Sequence, residues 1–345
     1  MPALSKFNTR YPFHPYPTGW FVICFSDELE SKGVKPLKYF GRDLVLFRTE
    51  SGKAVVTDAH CPHLGAHLGY DSRVEGETIV CPFHQWRYDP SGKCVHIPFT
   101  KLIPPRARVR VWPTVEQSGL ILMWHDLDGR EPLFEWPAFD ESRRRPNTGF
   151  QRLHDDFGAA HPQDIFENVV DFGHFPGVHS TGRATSGGEI KINGHRFWSP
   201  IKVLPPGHED PEEKGDVAPM SMIYGEVIGG GVTRIESVSP MLPGLTTVTY
   251  VSATPVDESL THYRVKTFLL VADDCPLTSD QIDEIDRRST EVTRAEQYSD
   301  GKIWPHKLYV ARPMLSNVDG PFHTYRNWYA QFHPRVDEAF AAAAE

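Results

Sequence analysis

Residues 61–84 read Cys61-Pro62-His63-Leu64-Gly65-Ala66-His67-Leu68-Gly69-Tyr70-Asp71-Ser72-Arg73-Val74-Glu75-Gly76-Glu77-Thr78-Ile79-Val80-Cys81-Pro82-Phe83-His84. A Cys-x-His pair is followed, 17 residues on, by a Cys-x-x-His pair. That spacing brings two thiolates and two imidazoles onto two neighbouring loops. Four such ligands hold either a tetrahedral zinc ion or a [2Fe–2S] cluster of Rieske type. The order within the pairs favours the cluster, in which one iron takes both cysteines and the other both histidines, so that each loop supplies one of each. Zinc fingers more often pair like with like. Pro62 and Pro82 stiffen both loops by fixing φ and removing a donor.

The flanks read as β structure. Trp20–Cys24, Leu44–Arg48 and Ala54–Thr57, the last two around a Ser51-Gly52 turn, are short apolar runs bounded by turn residues. Gln85–Tyr88, a turn at Pro90-Ser91-Gly92, Val109–Trp112 and Leu120–Trp124 continue the pattern. A small β domain over residues 17–125 with its metal at one tip is expected. Residues 1–16 read as a polar arm, and residues 126–146 as a linker. The linker's triplet Arg143-Arg144-Arg145 is a solvated surface or a contact for an acidic redox partner.

Beyond residue 150 the segment Glu167-Asn168-Val169-Val170-Asp171-Phe172-Gly173-His174-Phe175-Pro176-Gly177-Val178-His179 holds two histidines five apart. That offset suits a metal when a helix ends between them, at Gly173, Pro176 and Gly177. Two histidines and a carboxylate on one face of an iron leave positions for dioxygen and substrate, as in non-haem Fe(II) oxygenases. The carboxylate chosen is Asp300, near the end of the longest expected helix. That helix starts at Thr278, which makes a capping box with Gln281, and runs to about Trp304, with Ile282, Ile285, Val292 and Ala295 inward. Met222–Ile228, Thr246–Val251 and Tyr263–Val271 read as antiparallel strands, Gly229-Gly230-Gly231 as a hairpin turn, and residues 205–219 as a mobile loop.

Bulk properties agree. The 345 residues suffice for two domains; 39% are hydrophobic, 23% charged and 12% aromatic, with 30 prolines. A net charge of −9 gives no reason to bind nucleic acid or anionic membrane. No apolar run is long enough to span a bilayer, and the start lacks a signal-peptide core. Of five cysteines two are already given to metal, and Cys24, Cys94 and Cys275 are scattered, so no disulfide framework and a cytoplasmic location are expected.

The combination resembles the terminal oxygenase subunits of Rieske non-haem iron oxygenases over nearly the whole chain. Asn168, Asp171, His174 and His179 match that family's Asn-x-x-Asp-x-x-His-x(4)-His pattern position by position. Within the family the chain is most similar to 3-ketosteroid 9α-hydroxylase oxygenase components and cholesterol 7-desaturases. Tyr39–Arg48, Ile97-Pro98-Phe99, Val111–Glu116 with Trp124-His125-Asp126, and Asp319-Gly320-Pro321 with Arg326, Trp328, Gln331 and Phe332 carry that similarity. It departs at Gln85, where the wider family often has Gly, and at Pro176-Gly177-Val178, where bulkier aromatics are usual.

The resemblance implies an α+β fold: a small antiparallel β Rieske domain (17–125), then a helix-grip, START-like antiparallel sheet catalytic domain (126–345) with a long C-terminal helix. It implies a Rieske cluster on Cys61, His63, Cys81 and His84, and mononuclear Fe(II) on His174, His179 and Asp300. Asp171 and Asn168 are the accompanying catalytic residues. Asp171 would bridge His174 to the cluster ligand His84 of a neighbouring subunit in a homotrimer. Electrons would come from NAD(P)H through a separate ferredoxin or flavin/iron–sulfur reductase, since the chain has no nicotinamide fingerprint. The expected reaction is O2-dependent hydroxylation of a mostly apolar, steroid-like molecule held between sheet and long helix. The alternative is a tailoring oxygenase acting on an arylamine or polyketide-like substrate by N-oxygenation, desaturation or demethylation. An electron carrier without the second iron, or a zinc-stabilised binding module, are the non-enzymatic alternatives.

Overall fold

The computed structural model of the chain describes residues 11–145, 153–156 (backbone only), 160–208, 210 and 217–334. The expected arm over residues 1–16 and loop over 205–219 therefore fall partly outside the described residues. Two compact units form: one from Gly19–Trp136 with Thr254–Glu258, the other from Met1–Thr18, Pro137–Ala253 and Ser259–Glu345.

The first unit contains β1 (Gly19–Phe25), β2 (Val34–Tyr39), β3 (Arg42–Arg48), β4 (Ala54–Asp58), β5 (Arg73–Glu75), β6 (Thr78–Val80), β7 (Arg87–Tyr88), β8 (Cys94–His96), β9 (Val111–Trp112), β10 (Thr114–Gln117) and β11 (Leu120–His125). They make three antiparallel sheets in the orders β1-β11-β10, β2-β3-β4-β9 and β5-β6-β7-β8. β1 and β11 are buried along their whole length, which is why they read as continuous apolar runs rather than alternating ones. The two Cys/His loops leave β4 and β6, and their cysteines join a core with Val45, Phe47, Val55, Tyr88, Cys94 and Val109. Thr254–Glu258 closes this unit. The Phe40 and Gly41 amides donate to the Pro255 and Val256 carbonyls at 2.9 Å, and the Thr254 hydroxyl donates to the Val22 carbonyl at 2.7 Å.

The expected linker is not free chain at its start. The Trp20 indole donates to the Phe134 carbonyl and the Trp124 indole to the Arg130 carbonyl, both at 3.0 Å. Asp126 accepts from the Arg130 amide and guanidinium. Two of the triplet's arginines also pack against the chain, because Arg145 donates to Ser279 and pairs with Asp283 while Arg144 lies 4.5 Å over the Phe268 ring; Arg143 stays exposed.

The second unit is built on an antiparallel sheet of β12 (Leu153–Asp156), β13 (Ala184–Ser186), β14 (Lys191–Asn193), β15 (Arg196–Val203), β16 (Ser221–Ile228), β17 (Val232–Val238), β18 (Leu245–Asp257) and β19 (Leu260–Val271). The order is β12-β19-β18-β17-β16-β15-β13, with β14 also on β15. Gly229-Gly230-Gly231 is the turn between β16 and β17. Among the described residues, four α-helices accompany the sheet: α1 (Pro162–Phe166), α2 (His174–His179), α3 (Ser279–Gly301) and α4 (Phe322–Tyr329). The fold is α+β, with antiparallel sheets, few helices and one long helix late in the chain.

α3 begins as its sequence dictates: the Thr278 hydroxyl accepts from the Gln281 amide, and the Gln281 side chain accepts from the Thr278 amide. It stops at Gly301 rather than near Trp304, since the Ile303 amide turns back onto the Asp300 carbonyl and Pro305 follows. Its inner face differs from the apolar one expected. Ile282, Asp286, Thr293 and Asp300 are buried, whereas Val292 is exposed. The inward stripe after the first turn is polar because it carries Asp300 towards the histidines described next.

Candidate metal centres

The two Cys/His loops are conformational copies. The Cys61 amide donates to the Ala66 carbonyl and the Cys81 amide to the Trp86 carbonyl, each at 2.8 Å. In return the Gly65 amide donates to the Cys61 carbonyl at 2.9 Å and the Gln85 amide to the Cys81 carbonyl at 3.1 Å. The same turn thus presents its histidine two residues after the cysteine in one copy and three after in the other.

The thiols of Cys61 and Cys81 are buried and face each other closely enough to couple their ionisation. The His63 and His84 rings lie 4.5 Å apart, nearly perpendicular, with His63 stacked on Trp86 at 4.4 Å. Tyr88 places its hydroxyl 3.0 Å from the Cys61 sulfur. The Cys81 thiol, opposed by burial and aided by the Tyr88 hydroxyl, pulls the Cys61 thiol down to about 5. The same thiol pair and burial push Cys81 up, and burial first, then Cys61, pushes Tyr88 up. Cys61 is therefore primed as the thiolate that a metal requires.

These residues fit an iron–sulfur cluster. His63 Nδ1 is buried with no hydrogen-bond partner, an open lone pair that metal ligation would satisfy. Among the described residues, the set of three or more donors whose ligand atoms all lie within 4.8 Å of one another is His174, His179 and Asp300; the loop residues do not make such a set. A single tetrahedral zinc, with bonds of roughly 2.0–2.3 Å, would need all four that close. A thiol pair separated from an imidazole pair suits two irons instead.

The second constellation starts at α1, where Pro162 sits in the first turn and His161 Nδ1 accepts from the Gln163 amide. A 3-10 turn, Glu167–Val169, carries Asn168. His174 and His179 then begin and end the single short helix α2, so no helix end falls between them. Pro176 occupies the first turn of α2, where its missing N–H would have had no partner, so it opens the helix rather than breaking it. The two rings lie 5.0 Å apart and nearly perpendicular.

Asp171 sets the orientation of His174: its carbonyl takes His174 Nδ1 at 2.5 Å, and its carboxylate lies 3.7 Å from the same nitrogen. With Nδ1 held, Nε2 is the nitrogen left for a metal. Asp300, 6% exposed, lies 3.6 Å from His179 Nε2, with the Asn168 side chain beside it. His179 Nδ1 is buried without a partner. Burial raises Asp300 to about 6 against the pull of His174 and Asn168, and burial, then His174, lowers His179 to about 4. A neutral imidazole and a carboxylate reluctant to ionise without a cation are a donor set that a divalent ion would stabilise. Burial works against the charge on both His174 and Asp171, yet the attraction between them, with Asp300 adding to it at His174, prevails, raising His174 and lowering Asp171.

The segment is anchored from the far end of the chain. Glu167, 2% exposed, takes both the Nε and an Nη of Arg326 on α4. Tyr325 donates to the Gln163 carbonyl at 3.1 Å. Gly320 packs so tightly on Val170 that a Cβ would come within 1.8 Å of the Val170 carbonyl oxygen, which accounts for glycine at that position. Beside α2, Phe172, Phe175, Ala184, Ile201 and Val203 form an apolar cluster. Tyr88 and the Glu167–Arg326 pair escaped the sequence reading. Tyr88 had one signal, its even spacing from Trp86 on a strand, which turns both towards the same face.

Comparisons with known proteins agree with this geometry. The family profile described as Rieske [2Fe-2S] domain matches residues 19–113, and that described as 3-Ketosteroid 9alpha-hydroxylase C-terminal domain matches residues 123–333. A cholesterol 7-desaturase of Bombyx mori is 30% identical over 359 residues, covering 99% of this chain and 75% of that protein. A 3-ketosteroid-9-alpha-monooxygenase oxygenase component of Rhodococcus rhodochrous is 28% identical, covering 94% of this chain and 85% of that one. Among solved structures, NdmA of Pseudomonas putida CBB5 with caffeine shares the fold at a TM-score of 0.67 and 20% identity, over 90% of this chain and 89% of that one.

Proposed function

The chain belongs to the Rieske non-haem iron oxygenases of the 3-ketosteroid 9α-hydroxylase group, and on that premise we propose that it hydroxylates a mostly apolar, steroid-like molecule. O2 is the oxidant, and electrons come from NAD(P)H through a separate reductase. The reading rests chiefly on the convergence of His174, His179 and Asp300, whose ligand atoms lie within 4.8 Å of one another. In this reading residues 17–125 form the cluster domain, with Cys61 and Cys81 on one iron and His63 and His84 on the other. Residues 126–345 form the catalytic domain.

Ferrous iron bound by His174, His179 and Asp300, supplied with electrons by the Rieske cluster, provides the capacity to activate O2. The protein's own residues prepare that site. Asp171 holds His174 by Nδ1 and so fixes which nitrogen faces the metal. The Asn168 side chain stands beside Asp300 and favours its carboxylate form. Phe172 and Phe175 belong to an apolar cluster beside the histidines, surroundings that suit a hydrocarbon skeleton better than a polar one. In a homotrimer Asp171 accepts from His84 of the partner subunit, giving electrons a hydrogen-bonded route to His174.

A second outcome at the same site is desaturation, suggested by the cholesterol 7-desaturase relatives. The test is turnover with a reductase, NADH and 18O2 on a panel of 3-ketosteroids, sterols and arylamines. One 18O atom gained by a 3-ketosteroid supports hydroxylation, and loss of two hydrogens from a sterol supports desaturation. Oxidation of arylamines alone overturns the steroid-like substrate.

A further inference from the structure

Residues 90–115 contain Lys93, Lys101, Arg106, Arg108 and Arg110 and no carboxylate, in a chain whose net charge is −9. All five cations are exposed, and none enters an ion pair among the described residues. Arg108 and Arg110 flank buried Val109, so their guanidinium groups share the outer face of one extended segment, and Arg106 is exposed in the turn just before it. Lys93 stands directly opposite Arg108 on the adjoining segment, in an antiparallel bridge. Arg110 is braced 3.8 Å over the Trp112 ring. The nearest acids in sequence are already engaged: Asp89 accepts from the Ser91 and Lys93 amides, and Glu116 pairs with Arg48.

The inner face of this stripe is the cluster core. Ala107 and Val109 pack in the same group as Cys61, Cys81, Tyr88 and Cys94. Cys94 follows Lys93 and pairs across the sheet with Tyr88, whose hydroxyl is 3.0 Å from the Cys61 sulfur. A donor seated on the stripe would therefore stand behind the thiolate side of the cluster. An acidic partner approaching an acidic protein needs such a local inversion of sign.

We propose that the stripe of Lys93, Arg106, Arg108 and Arg110 is the docking surface for the electron donor, an acidic protein carrying a plant-type [2Fe–2S] centre. This rests on the oxygenase reading above. One electron leaves the donor's reduced centre, which is oxidised, and enters the cluster held by Cys61, Cys81, His63 and His84, which is reduced; no bond forms or breaks. Charge complementarity of this kind acts mainly on encounter rate and weakens with salt.

The test uses the full-length holoprotein and its K93E/R106E/R108E variant, leaving Arg110 intact because it stacks on Trp112. A K32E/K35E/K38E control carries the same net charge on other lysines of the unit. Calorimetric binding of an oxidised plant-type [2Fe–2S] ferredoxin, and stopped-flow bleaching of the cluster by the reduced ferredoxin, are read at 50 mM and 500 mM NaCl. At low salt the stripe variant should bind and accept electrons at least tenfold more weakly than the control, with the gap closing at high salt. Equal behaviour of variant and control overturns the proposal. So does a variant that loses only binding to phosphatidylserine vesicles or to DNA while ferredoxin kinetics stay unchanged. Dithionite should bleach all three proteins equally; a wild type with no absorbance to bleach would instead sink the oxygenase reading.

Discussion

Gly65 and Gln85 hold the same place in two copies of one turn, both in the left-handed region, at φ 78° and 60°. Each donates its amide to the carbonyl of the cysteine four residues earlier. Only one is a glycine. A Cβ in that region costs about 1–2 kcal/mol, which the Gln85 side chain offsets in part by donating to the Pro82 carbonyl at 3.2 Å.

Gln85→Gly should therefore raise the stability of the cluster unit by less than about 1 kcal/mol, since added freedom in the unfolded chain takes back part of the gain. Gly65→Ala, in open space and opposed by conformation alone, should lower it by about 1 kcal/mol. Thermal bleaching of visible absorbance reads both. A rise for Gly65→Ala would refute the equivalence of the two turns.

Tyr88→Phe removes the hydroxyl beside the Cys61 sulfur. Losing a hydrogen bond to a ligand sulfur leaves more electron density on the cluster, so its midpoint potential should fall while its spectrum persists. A redox titration that finds the wild-type potential would assign the hydroxyl some other partner.

Asn168 and Asp171 should separate in their effects. Asn168→Ala frees the Asp300 carboxylate and is expected to weaken ferrous iron binding by about 10–100-fold, read by chelator competition. Asp171→Ala should leave both metals in place yet block single-turnover electron transfer. Rapid transfer in that variant would remove Asp171 from the route.

Arg326→Met strands Glu167, a buried carboxylate that burial already pushes up and Arg326 pulls back. The loss should be about 3 kcal/mol, and Arg326→Met/Glu167→Met should recover most of it. Urea unfolding followed by tryptophan fluorescence measures the cycle. A double variant no better than the single one would show that the pair does more than neutralise itself.

Acid should destabilise the second unit partly through His333. Burial, then His14, lowers this histidine to about 4, and its Nε2 lies 2.6 Å from Gln163 Oε1. The unfolded chain takes up a proton near pH 6.5 that the folded chain refuses until about pH 4, so stability falls as pH drops through that window. At pH 5 the contribution is on the order of 1–2 kcal/mol. His333→Gln should narrow the difference between midpoints at pH 7.5 and pH 5.0; an unchanged difference would assign the acid sensitivity to other groups.

Legibility in the sequence followed the range of the interactions. The Cys/His loops and the Thr278 cap are local patterns and could be read directly. β2 could not, because Pro36 and its mixed burial hide a strand that lies at a sheet edge, where a missing donor is tolerated. Val292 misled, since helical spacing identifies an apolar face only where the inward surface is apolar, and α3 turns Asp286, Thr293 and Asp300 inward instead. The Glu167–Arg326 clamp spans 159 positions, and no local pattern announces it.

Because Thr254–Glu258 completes the sheets around Val22, Phe40 and Gly41, the cluster-bearing module is discontinuous along the gene. A recombinant fragment ending at Trp136 would expose two backbone amides that the native protein covers, and should be more prone to aggregate than the intact chain. On the ribosome, the Phe40 and Gly41 amides find these partners only once residues 255 and 256 have been made, well after the cluster loops themselves.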